Sequence, residues 1–144
     1  MLELMNKDVV MKRDVSIGVS AVLLLYAFLS WSGVASAAGY SMITVDDLRA
    51  MQSNKGLVIL DVRPRTSWMF SMSKIKGAIR ENPNEVTEWQ HKYSKDSPIV
   101  LYCQTDVTSL GVGRRLAAAG FQNVYVLKGG WSEWSHARLP AEGK

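Results

Sequence analysis

The stretch "PIVLYCQTDVTSLGVGRRLAAAG", residues 98–120, decides the architecture. Its first six residues run apolar without alternation, the pattern of a strand buried on both faces of a parallel sheet. The segment "TSLGVGRRLAAA" then reads as a helix opened by Thr108 or Ser109 and ended by Gly120. Between the two lie Cys103, the only cysteine of the chain, and a short polar loop.

Working outward, "LVILDV" (57–62) is a second buried strand closed by Pro64, and "NVYVLKGG" (123–130) is a third. Thr44 is placed to cap a helix "VDDLRAMQ", with Asp46 and Asp47 in the first turn, where the helix field favours anions. "RTSWMFSM" (65–72) has room for one or two helical turns, and "IKGAI" (75–79) reads as extended. "NPNEVTEWQHKY" (82–93) predicts a helix with Asn82 as cap, Pro83 at its first position and Glu85 at its third. "WSEWSHA" forms a last turn before Pro140. Strands alternating with helices predict one α/β domain, its central mostly parallel sheet flanked by helices. In such sheets ligands bind beyond the carboxyl ends of the strands. Cys103 stands at one such end, and Asp61 to Arg63 at another.

The chain has 144 residues, 47% hydrophobic and 21% charged, which suits one ordinary domain with a terminal extension. Four segments are expected: a leader over 1–37, a short linker over 38–43, the domain over 44–138 and a tail over 139–144. The net charge is +4 with Lys and Arg scattered, so nucleic acid is not an expected partner. Within the leader, Lys12 and Arg13 precede an apolar stretch, 15–31, and small residues follow up to Ala38. Ala35-Ser36-Ala37 fits signal-peptidase cleavage; the rival reading is an uncleaved anchor, with membrane association through residues 15–31. Either reading exports the domain, with the bacterial periplasm as the expected compartment. There, cysteines usually pair. A solitary Cys103 is a buried small hydrophobe, an intermolecular partner or a reactive thiol, and one cysteine excludes a cysteine-based metal cluster.

A tight loop between strand and helix turns successive N–H groups inward, and the helix amino terminus adds positive potential at the same place. A thiol held there is a better nucleophile at neutral pH. Asp106 acts either way: directed inward it repels anions, directed outward it does not. His91 and His136 read as exposed helix-end residues. Trp68, Trp89, Trp131 and Trp134 read as packing anchors, with Trp68 and Trp131 the candidates for a pocket wall. Met69 and Met72 are expected to fill core gaps, and Arg114 and Arg115 to be solvated.

From about Thr44 to Trp134 the chain resembles the rhodanese-like sulfurtransferases. "LVILDVRPRTSW" is similar to that family's Asp-Val-Arg segment with an aromatic five residues on. "SKIKGAI" is similar to its Gly-His-Ile-Pro-Gly-Ala segment. The strand, loop and helix around Cys103, followed by Gly129-Gly130 and Trp134, resemble its active-site and terminal segments. The resemblance implies that Cys103 accepts sulfane sulfur from small sulfur anions such as thiosulfate or polysulfide. The persulfide then passes it to cyanide, a thiol acceptor or a partner protein. It implies a backbone cradle over Gln104, Thr105, Asp106, Val107, Thr108 and Ser109, and a structural rim pair, Asp61 and Arg63. No cofactor and no metal are implied.

The loop departs from the family's usual Cys-x-x-Gly-x-Arg-Ser, with Asp106 at the Gly position and Thr108 at the Arg position. A hydroxyl supplies no cation, so weak thiosulfate activity is expected. Lys74 and Lys76 replace the family's His and Pro, and Ser67 replaces an acidic residue that would partner Arg63. A catalytically weak or inactive binding module is the alternative function. A cysteine phosphatase or arsenate reductase is a third, disfavoured because Ser109 stands where their loop-closing Arg belongs.

Overall fold

The computed structural model describes residues 39–144; the leader expected over 1–37, with its apolar stretch 15–31, lies outside the described residues. The chain runs β1 (Ser41–Ile43), α1 (Val45–Met51), β2 (Val58–Asp61), α2 (Arg65–Phe70), β3 (Ser73–Ile75), β4 (Ile79–Arg80) and α3 (Val86–Trp89). It continues through a 3-10 turn (Gln90–Lys92), β5 (Ile99–Tyr102), α4 (Val107–Ala118), β6 (Val124–Leu127), α5 (Gly130–His136) and β7 (Ala141–Gly143). Five strands form one parallel sheet in the order β1-β6-β5-β2-β4, and β3 pairs antiparallel with β7. This is the single α/β domain, its parallel sheet flanked by helices, that the alternation of strands and helices predicts.

The uninterrupted apolar runs are explained by burial on two faces, because successive strand residues point to opposite sides. Ile99, Leu101 and Cys103 face one side, against Val86 and Trp89 of α3 and Val112 and Leu116 of α4. Val100 and Tyr102 face the other, with Leu48 of α1 and Trp134 of α5. Thr44 caps α1 as expected: the Asp47 N–H donates to Thr44 Oγ1 at 3.2 Å and the Thr44 N–H to Asp47 Oδ2 at 2.8 Å. The Thr44 N–H first, and then the Thr44 hydroxyl donating to Asp47 Oδ2 at 2.7 Å, hold the Asp47 carboxyl below its ordinary range.

Several boundaries differ from expectation. The linker expected over 38–43 contains β1, an edge strand in register with β6. The tail expected over 139–144 contains β7, paired with β3 from Ser73↔Gly143 to Ile75↔Ala141. The helix expected over 82–93 shrinks to α3. Asn82 heads a turn instead, its carbonyl accepting from the Glu85 N–H at 3.1 Å and from Trp89 Nε1 at 2.7 Å. Met69 and Met72 fill no core gap: they are 61% and 86% exposed, because α2 buries none of its residues.

Candidate active site

Cys103 directly follows β5, and the loop behind it is shorter than the composition suggests. α4 opens at Val107, with Asp106 rather than Thr108 or Ser109 as N-cap. The Asp106 carbonyl accepts from the Leu110 N–H at 2.9 Å and from Ser109 Oγ at 3.0 Å, which starts the helix two residues early. Val107, Thr108 and Ser109 therefore occupy the first helical turn, and only Gln104, Thr105 and Asp106 remain as loop.

The backbone N–H groups of Gln104, Thr105, Asp106, Val107 and Thr108 meet no acceptor among the described residues, whereas the next, Ser109 N–H, points at Cys103 Sγ at 3.4 Å. Ser109 Oγ lies 3.5 Å from the same sulfur. A run of unpaired amides at the amino end of a twelve-residue helix is a strong anion site. The residues carrying these amides are exposed or half-buried, so the donors are open to a small solute anion.

The loop is held from behind. Its carbonyls turn to the first turn of α5: Trp131 N–H donates to Cys103 O at 2.8 Å and Ser132 N–H to Gln104 O at 3.0 Å. Gln104 Nε2 also donates to Ser132 Oγ at 3.0 Å. Directing carbonyls to one side leaves the amides for the other. Gly130 permits this approach, with φ of +54° and no Cβ to collide with the loop.

Asp106 is half-buried, and its Oδ2 accepts from the Gly129 N–H at 3.5 Å. The carboxylate is thus engaged by the glycine turn before α5. Residues 103–109 contain no cationic side chain. Cys103 itself is 2% exposed.

Asp61 and Arg63 form a separate assembly. Both are fully buried, and the Arg63 guanidinium meets the Asp61 carboxylate through Nε at 2.9 and 3.0 Å and through a terminal nitrogen at 2.5 Å. Arg63 also donates to Ser71 Oγ at 2.9 Å and to Ser73 O at 3.0 Å, so it does not lack partners despite Ser67. The Tyr102 hydroxyl donates to Asp61 Oδ2 at 2.7 Å and accepts from the Ile75 N–H at 3.2 Å. Burial first, then the Asp61 charge, pushes the Tyr102 phenol far above its ordinary range. The rings of Trp68, Tyr102 and Trp131 lie 5.2, 5.7 and 5.0 Å from the guanidinium carbon.

Asp61 and Tyr102 are opposite one another in the β2–β5 register. They lie on the face of the sheet away from Cys103. No hydrogen bond joins Asp61 or Arg63 to residues 103–109 among the described residues; the link runs through Trp131, whose ring lies over Arg63 and whose N–H holds the Cys103 carbonyl. Sequence reading places Trp131 as a wall candidate but misses its backbone role, and it misses Tyr102 and Ser132 altogether. The signal for Tyr102 is its alternation with Cys103. Ser132 carries none.

His91 and His136 are exposed, as are Arg114 and Arg115, the last reaching Pro83 O at 3.4 Å.

Comparison with known proteins agrees with this geometry. A sequence profile described as "Rhodanese-like domain" matches residues 44–137. The protein named thiosulfate sulfurtransferase GlpE from Actinobacillus succinogenes is 32% identical over 103 residues, covering 72% of this chain and 91% of its own length. Its namesake from Glaesserella parasuis is 29% identical, covering 72% and 94%. Among solved structures, the rhodanese-like domain of an Anabaena protein superposes with a TM-score of 0.63 at 26% identity, covering 72% of this chain and 79% of that one. A profile spanning most of the chain, and relatives matched over nearly their full length, show that the chain belongs to the rhodanese-like family.

Proposed function

We propose that the chain is an exported sulfurtransferase that carries sulfane sulfur on Cys103. The observation that carries the reading is the run of five unpaired amides from Gln104 to Thr108, beside a sulfur that already accepts from the Ser109 N–H. Such amides offer donors to the oxyanions of a sulfur donor and then to a terminal persulfide sulfur. With thiosulfate, the Cys103 thiolate attacks the outer sulfur and a new S–S bond forms. The old S–S bond breaks, and sulfite leaves with its electron pair. An acceptor thiolate or cyanide then attacks the outer sulfur of the persulfide and regenerates the Cys103 thiolate. The relatives named thiosulfate sulfurtransferase support this class of reaction. Export rests on the basic, apolar and small-residue order of residues 11–38.

A second reading, a module that binds an anion or partner without turnover, draws on the 2% exposure of Cys103 and the absence of a loop cation. Intact-mass spectrometry after incubation with thiosulfate or polysulfide separates the two. The transfer reading expects a gain of one sulfur atom that disappears on adding cyanide and is absent in Cys103→Ser. No gain with any donor, in protein whose circular dichroism is native, favours the module.

A further inference from the structure

The two most exposed large apolar side chains among the described residues, Phe70 and Met72, stand in one short segment. Phe70 is 88% exposed, Met72 86% and Met69 61%, while α2 buries no residue. Isolated exposed apolar residues are ordinary, but three large ones within four positions form a patch. They belong neither to the cradle nor to the rim pair: Trp68, their neighbour, turns its ring to Arg63, Arg80 and Lys144 instead.

The same segment is strongly one-signed. From Arg63 to Arg80 there are five cationic residues and no Asp or Glu. Arg63 is buried and neutralised by Asp61. Lys74 pairs with Glu142 of the neighbouring strand β7 at 2.9 Å, and Glu142 is also held by the Gly77 N–H at 3.1 Å. Arg65 and Lys76 remain exposed, and Lys144 is pinned beside α2, its ammonium donating to the Trp68 carbonyl. The one carboxylate paired with this segment is therefore already used, and the charge left free in it is positive.

Exposed apolar side chains in a segment whose free charges are Lys and Arg have the chemistry of a surface that enters the boundary of an anionic bilayer. The side chains reach the acyl region, and the cations meet phosphate headgroups. We propose that the stretch from α2 to Lys76, residues 65–76, docks the domain on an anionic lipid surface, with Phe70 and Met72 as the inserting residues. A second copy of this chain is a poorer occupant, since it would oppose two positive rims. The proposal does not depend on sulfur transfer, and it adds a contact within the folded domain to any made by residues 15–31.

Hydrogen exchange on the full chain tests it, read on peptides covering 65–76, with vesicles of phosphatidylcholine alone or mixed with phosphatidylglycerol. The expected result is several-fold slower exchange of this segment with the anionic vesicles, diminished by high salt and lost in Phe70→Ser with Met72→Ser. Sulfur loading of Cys103 in that variant, and exchange elsewhere in its domain, should match the parent. Equal exchange on both vesicle types overturns the proposal. So does protection that persists in the variant. Protection without vesicles that grows with protein concentration also overturns it, and assigns the face to self-association.

Discussion

A Cβ on Gly130 would stand 1.9 Å from the carbonyl oxygen of Thr105 and 2.4 Å from that of Cys103. Both obstacles are backbone, so nothing flexible can yield. Gly130→Ala combines this collision with a left-handed residue at φ +54°, a cost of at least about 3 kcal/mol. Thermal unfolding should move down by more than about 10 °C, and sulfur loading should fall with it. An unchanged midpoint would mean that the loop has slack.

The buried Asp61–Arg63 pair makes a second demand. Arg63→Met leaves the Asp61 carboxylate in the interior with the Tyr102 hydroxyl as its side-chain hydrogen-bond donor and Arg80, 4.0 Å away, as its remaining cation, and stability should drop by up to about 3–5 kcal/mol in urea titration. A loss below about 1 kcal/mol would show that water reaches this carboxylate freely.

Alkaline stability follows from Tyr102. Its folded-state pKa is raised, by burial first and the Asp61 charge second, so the folded protein keeps the phenol neutral. The unfolded phenol ionises near pH ~10. The stabilisation is therefore complete below that value and is lost as pH climbs above it. Tyr102→Phe should be less stable at pH 7, by about 1–3 kcal/mol through the lost Asp61 bond, yet show a shallower decline above pH ~10. Parallel declines in the two proteins would remove Tyr102 from the account.

The loop offers a gain-of-function test. Asp106→Gly with Thr108→Arg removes a carboxylate and supplies a cation at the amino end of α4. Thiosulfate turnover should rise by about tenfold, the worth of one charge-assisted hydrogen bond. If turnover stays where it was, charge is not what limits the donor step.

Access to the thiol is the last test. Gln104 Nε2 and Ser132 Oγ tie the loop to α5, beside a Cys103 that is 2% exposed. Ser132→Ala should quicken alkylation of Cys103 by iodoacetamide about two- to fivefold, in line with one net hydrogen bond of ~0.5–1 kcal/mol. Slower alkylation would contradict the tie.

The chain alone established the layered fold, because a strand buried on both faces is apolar at nearly every position, and 57–60 and 99–102 are. It also placed Cys103 beyond a strand end and Thr44 at a helix start, since caps and strand termini are encoded within a few residues. Which way Asp106 turns is left to Gly129, which returns to the loop from more than twenty residues away, and Cys103 lies covered because α3 and α4 pack over its face of the sheet. Tertiary structure alone also divided the two polar clusters between opposite faces of the sheet. The pleat sends Tyr102 one way and Cys103 the other, and their partners are assigned by register with β2 and packing against α4, which no local pattern records.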